Sequence, residues 1–171
     1  MKAIVQDKYG SPDDVLELRE IDKPVVEDNG VLVRVHAASV HPDVWHLVRG
    51  WPYALRLTRA GLLKPKNSVP GTDVAGHVES VGKDVTQFQP GDEVFGESVR
   101  GHQWHNGGAY AEYVSVPEDA LALKPANLTF EQAAAVIWKR ETFKEKSSSP
   151  CEANLKEDSC SHSGCEDVTG G

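Results

Sequence analysis

The first 150 residues of this 171-residue chain contain no cysteine, and all three cysteines, Cys151, Cys160 and Cys165, lie near the C-terminal end. A disulfide framework is therefore not what holds the main part of the chain together. No apolar run approaches the ~20 residues that a membrane-spanning helix needs. The opening MKAIVQDKYG has only a brief apolar stretch, too little for a signal peptide. The expected location is cytoplasmic, with no membrane association. Basic residues are also short: 18 Lys and Arg stand against 26 Asp and Glu, a net charge of −8. That balance argues against a nucleic-acid partner, because no face concentrates enough positive charge to grip a phosphate backbone. No G-x-G-x-x-G loop occurs anywhere in the sequence, so the usual dinucleotide-cradling turn is missing.

Aliphatic residues almost vanish after Ile137, where Ser, Glu, Lys and Gly take over. Such a segment cannot bury enough surface to offset the entropy of ordering it, so residues 137–171 are expected to form a disordered tail unrelated to the rest. Within it, Cys160-Ser161-His162-Ser163-Gly164-Cys165 only loosely resembles a metal knuckle, and a solvated tail is the favoured reading. The expected folded domain is 1–136.

Inside that domain the dominant pattern is β. Ala3-Ile4-Val5 is a short apolar run, and Val15 to Ile21 and Val31 to Val35 alternate with the two-residue period of strands that bury one face. Pro24 and Glu27-Asp28-Asn29-Gly30 punctuate them. Pro42 and Gly50 bracket a short helix, proline suiting its first turn and glycine its end. Trp51 to Ser68 reads as loop or weak helix. Its basic residues Arg56, Arg59, Lys64 and Lys66 are expected to be solvated, with a patch for a cofactor phosphate or an acidic partner as the second reading. Short strands return at Val74–Val81, Glu93–Phe95, Tyr110–Val116 and Leu121–Leu123. Turns at Gly82, Pro90-Gly91-Asp92 and Asn106-Gly107-Gly108 separate them. Strands this short and this densely punctuated predict a barrel, not a layered α/β unit. Gly76, inside a strand pattern, points to a bend or a close backbone approach; Gly82 and Gly91 point to positive φ in turns. Leu128 to Ile137 predicts a helix, with Thr129 as N-cap and Gln132 as its capping-box partner. His77 is expected to face outward. His102 and His105, flanking Trp104, lack further ligands at metal spacing and read as polar loop residues.

Five stretches, in this order, resemble the medium-chain dehydrogenase/reductase superfamily, and specifically its zinc-independent quinone oxidoreductase branch. MKAIVQDKYGSPDDVLELREIDKP resembles the family's first hairpin, and VLVRVHAASVHPDVWHLVRG its strand-then-helix element. PGTDVAGHVESVG and FQPGDEVFG resemble its two glycine-rich corners. GGAYAEYVSVPEDALALKPANLTFEQAAAV resembles the last barrel strands and the helix that follows. The implied fold is mainly β: a GroES-like β-barrel with a few short helices, the substrate-side domain of the superfamily. The implied chemistry is hydride transfer from NADP(H) or NAD(H) to a small-molecule acceptor, a quinone or an enone.

The resemblance also assigns candidate residues. His41 and Asp43 are the implied catalytic pair, with His41 bonding the acceptor carbonyl or the nicotinamide ribose; Asp43 is equally open to capping backbone amides. Trp45 and Tyr53 are the implied substrate-binding residues, Tyr53 offering a phenol on an apolar body. No metal is implied. Where zinc-dependent relatives carry a cysteine and a Gly-His-Glu, this chain has His41 and Gly71-Thr72-Asp73, and residues 97–108 lack the four cysteines of a structural zinc site. A nucleotide-binding Rossmann domain would be expected after Ala133-Ala134-Ala135 and does not follow. The expectation is a truncated oxidoreductase, inactive alone and not binding the dinucleotide by itself, which leaves open whether the chain is itself an enzyme. Two alternatives remain: a standalone GroES-like binding module whose exposed cleft face takes a protein partner, and a fragment of a zinc-dependent alcohol dehydrogenase.

Overall fold

Pro12 sets the first departure from simple alternation. In a computed structural model, which describes residues 1–57, 61–99 and 107–136, β1 (Lys2–Gln6) leads to a single helical turn, α1 (Pro12–Val15), before β2 (Leu16–Glu20). Proline at the start of the turn and Asp13 and Asp14 in it favour a helical N-terminus over a strand. Val15, expected in the strand, is instead the buried end of that turn. β1 and β2 pair antiparallel as a separate two-stranded ribbon.

The remaining strands are β3 (Gly30–Ala38), β4 (Asp73–Val81), β5 (Glu93–Glu97), β6 (Tyr113–Pro117) and β7 (Leu121–Leu123). They form one five-stranded sheet in the order β6-β3-β4-β5-β7. The expected barrel is not closed by hydrogen bonding among the described residues: β6 and β7 are sheet edges. The ribbon fastens to the sheet by single bonds and not by a ladder, through Ile4 N–H to Tyr110 O, Glu112 N–H to Lys2 O and the isolated bridge Ala3–Ala111. Tyr110 to Glu112, expected in the strand, serve as those fasteners, so β6 begins only at Tyr113.

The core lies against this sheet. Val31, Val33, Val74, Val94 and Val116 are fully buried, with Phe88 and Leu121 packed beside them. Each such side chain contributes about 1.5–3 kcal/mol on burial. Gly76 lies on β4 hard against β3: a Cβ there would stand 2.1 Å from the Arg34 carbonyl oxygen. Gly91 has the expected positive φ (+97°), but Gly82 does not. Its glycine is required by crowding instead, with the Glu27 and Asp28 carbonyl oxygens 2.2 and 2.3 Å from a would-be Cβ.

Between β3 and β4 lie α2 (Pro42–Arg49), closed by Gly50 at φ 60°, and a 3₁₀ turn (Tyr53–Leu57). A last helix, α3 (130–136), begins as predicted. Thr129 N–H donates to Gln132 Oε1 (3.0 Å) and Gln132 N–H to Thr129 Oγ1 (3.2 Å), a reciprocal cap. Phe130 packs on His36 and His77, whose rings lie 4.8 Å apart; His77 is half-buried and 3.6 Å from Glu93, not simply outward-facing. The expectations for residues 137–171, including the cysteine-bearing tail, and for Arg59, His102, Trp104 and His105 lie outside the described residues.

Because a backbone oxygen cannot swing aside as a side chain can, Gly76→Ala is expected to lower stability by about 1–3 kcal/mol. The measurement is the urea midpoint at unchanged slope; an unshifted midpoint would mean that β3 and β4 separate without cost.

Candidate active site

The two polar residues Thr72 and Asp73 enter β4 directly after Gly71, where the following residues are apolar. Asp73 is 1% exposed. A buried carboxylate must be met by donors, and two segments, residues 39–41 and the neighbouring Thr72, supply its surroundings. Ser39, just past β3, donates its hydroxyl to Asp73 Oδ2. Thr72 Oγ1 lies 3.4 Å from Asp73 Oδ1. His41, the residue preceding α2, places Nε2 at 2.8 Å from Thr72 Oγ1 and 3.9 Å from Asp73 Oδ2. Thr72 has one hydroxyl proton. When Thr72 donates that proton in a hydrogen bond to Asp73, its oxygen accepts from His41 Nε2–H, giving a continuous line from imidazole to carboxylate.

Tyr110 closes the group from behind, its phenol donating to the Ser39 carbonyl at 2.9 Å. Burial pushes the Tyr110 hydroxyl up to about 12, with the Asp73 charge adding to the effect. Burial likewise holds the Asp73 carboxyl above its ordinary range, although Ser39, His41 and Thr72 each pull it back. Asp43, in the first turn of α2, adds to the upward push on Asp73 through its own charge. His41 and Asp43 therefore do belong to one electrostatic unit, centred on Asp73. Its chemical capacity is to hold a proton and pass it between a buried carboxylate and an imidazole.

Trp45 and Tyr53 lie elsewhere. With Gly10, Ser11, Arg49, Trp51 and Arg56 they line a cavity of about 550 Å³, and neither His41 nor Asp43 is among its walls. On α2, positions two apart sit roughly 200° around the axis from each other, so Asp43 and Trp45 face different ways. Arg56 ties the cavity floor together. Its guanidinium stacks over Tyr9 (4.5 Å) and Tyr53 (4.8 Å) and donates to the carbonyls of Gly50 (2.8 Å) and Arg49 (3.2 Å). The fully buried Gln6 amide sets the wall spacing, donating to Lys8 O (3.0 Å) and Val48 O (2.7 Å) and so fixing β1 against α2.

Reading the sequence singled out His41 and Asp43 and passed over Ser39, Asp73 and Tyr110, which the fold brings beside them. The available signal was Thr72-Asp73 itself, a polar pair between a turn glycine and the apolar run Val74-Ala75. It drew notice only for the zinc ligand it lacks. Among the described residues no group of three or more His, Cys, Asp or Glu is placed to hold a metal ion. Nor is any helix among them long and apolar enough to cross a membrane.

Tyr110 gives the site a pH dependence with a fixed sign. Its folded pKa lies above the ordinary 10, so its stabilising contribution is present below pH 10 and is lost as pH rises toward 12. Tyr110→Phe is expected to flatten the alkaline loss of stability in that window, measured by urea unfolding at successive pH values. A wild-type slope in the variant would assign the loss to another group.

The alcohol dehydrogenase GroES-like domain matches residues 27–126. The quinone oxidoreductase of Sus scrofa is 36% identical over 137 residues, covering 80% of this chain and 37% of that protein. The chloroplastic NADPH-dependent alkenal/one oxidoreductase of Arabidopsis thaliana is 37% identical over 150 residues, covering 85% of this chain and 36% of that one. Among solved structures, the quinone oxidoreductase from Coxiella burnetii superposes with a TM-score of 0.66 at 34% identity, covering 79% of this chain and 40% of its own. The NADPH complex of Escherichia coli quinone oxidoreductase gives a TM-score of 0.69 at 26% identity, covering 87% and 41%. This chain spans little more than a third of the length of the curated relatives it matches. It belongs to the alcohol dehydrogenase GroES-like domain family, in the quinone oxidoreductase-like branch of the medium-chain dehydrogenase/reductase superfamily.

Proposed function

We propose that this chain forms the acceptor-side half of a zinc-independent hydride-transfer site that reduces a quinone or an enone, and that it is inactive alone. The observation that carries the reading is the line His41–Thr72–Asp73, an imidazole positioned by a hydroxyl and backed by a buried carboxylate. Hydride addition to such an acceptor leaves negative charge on its carbonyl oxygen. A nearby imidazole offers that oxygen a hydrogen bond or a proton, and Thr72, backed by Asp73, holds the imidazole in place for it. Asp43 adds negative charge beside the same unit. Trp45 and Tyr53 line the cavity beside α2, whose walls include neither His41 nor Asp43, and take no part in this line.

The dinucleotide, NADP(H) or NAD(H), supplies the hydride when bound. Of that cofactor the described residues fit only the end that meets the acceptor. His41 suits a ribose hydroxyl or carboxamide contact, and no glycine-rich turn opens a helix for the pyrophosphate. The proposed domain limits, 1–136 for this half-site and 137–171 for a separate tail, follow from the same composition break at Ile137.

Titration of the chain with menadione, followed by NMR, is expected to shift the His41 ring signals. His41→Ala is expected to weaken binding about tenfold or more, the worth of one hydrogen bond to a charged group. NADPH alone is expected to show no saturable binding at micromolar concentration. Micromolar saturation would overturn the half-site reading, and stoichiometric zinc in the purified chain would overturn its zinc-independence.

A further inference from the structure

The cavity beside α2 carries a charge that quinone or enone reduction does not require. Its walls bring Arg49 and Arg56 together with the rings of Trp45, Trp51 and Tyr53, and with Ser11. Among the described residues no carboxylate stands within ion-pair distance of either guanidinium; the ion pairs involve Arg19, Lys23, Lys83, Lys124 and the histidines. Among the described residues the cavity thus holds two cations without a carboxylate partner. Both are held by the fold: Arg49 lies over the Trp45 ring at 5.0 Å, and Arg56 is fixed by two backbone carbonyls and two tyrosine rings. Arg56 spends Nε and one terminal nitrogen on those carbonyls, which leaves further N–H donors on the guanidinium for another acceptor. Ser11 does not cap α1 with its side chain, so its hydroxyl is not committed there.

We infer that this cavity binds a planar aromatic molecule bearing an anionic group, the ring against Trp45, Trp51 and Tyr53 and the anion on Arg49 and Arg56. The inference goes beyond the acceptor-site reading above, because His41 does not line this cavity: its ligand is an acidic aromatic, such as an aryl carboxylate or sulfonate, and not a neutral quinone. Guanidinium matches a carboxylate or sulfonate geometrically, and charge-assisted hydrogen bonds are about twice as strong as neutral ones. The aromatic walls supply offset stacking and apolar burial for the ring. Of the basic residues that stood out in the sequence, Arg56 lines this cavity, whereas Lys64 and Lys66 are exposed.

The test is calorimetric titration of the full chain with 1-naphthoate and with its neutral isostere 1-naphthamide. The expected result is about tenfold tighter binding of the acid, weakening as salt is added. Arg49→Gln, a change at an exposed position that leaves the Arg56 clamp intact, is expected to remove most of that preference. Equal affinity for the two ligands, or a preference untouched by both salt and Arg49→Gln, overturns the inference. Menadione serves as the reference. If it binds while naphthoate gains nothing over naphthamide, the anion preference fails and the acceptor-site reading stands; if neither menadione nor naphthoate binds, both fail.

Discussion

A carboxylate at 1% exposure is the constraint around which this domain is arranged. Removing Asp73 from water costs several kcal/mol unless donors meet it, and its surroundings join three stretches: residues 39–41, Thr72 beside it and Tyr110. Ser39 follows β3, Thr72 precedes β4, His41 stands before α2, and Tyr110 holds Ser39 from the stretch before β6. Satisfying one buried charge therefore fixes where the central strand ends, where the helix begins and how the approach to β6 crosses the sheet. The β3–β4 pair must be tight for this convergence to occur, and Gly76 against the Arg34 carbonyl makes it tight. Fold and candidate chemistry share the same atoms.

The helix α2 divides two kinds of recognition. Its entry faces a buried, proton-holding network; the far side and the turn after it face an open aromatic cavity with two cations. A short helix does this well because residues two apart already point in different directions. Gln6, an uncharged side chain with no exposure, then keeps the helix in register with β1 through a single amide.

Much of the fold was legible in the sequence because it was written in local chemistry. Pro42 and Gly50 bounded α2, Thr129 and Gln132 capped α3, and the alternation of VLVRV marked β3. What escaped depended on contacts between distant residues. Val15 looked like a strand residue by period, yet Pro12 with two aspartates made a helical turn of it. Gly82 looked like a positive-φ turn, but crowding by Glu27 and Asp28 is what demands glycine there. The same limit held for the site. His41 and Asp43 could be picked out beside the helix start, whereas Asp73 becomes significant only once the sheet brings Ser39 and Tyr110 to it. Trp45 and Tyr53 looked like neighbours of His41 in sequence, but helical rotation turns Trp45 away and Tyr53 lies past the helix, so both line a separate cavity.

The open sheet has one further consequence. Its two edge strands, β6 and β7, end in features that resist pairing with another chain. β6 terminates in Pro117, which has no N–H to offer, and β7 is only three residues long. Short, proline-ended edges are poor templates for intermolecular strand addition. The described part of this molecule thus leaves its sheet unclosed without presenting the long flat margin from which fibrous association starts.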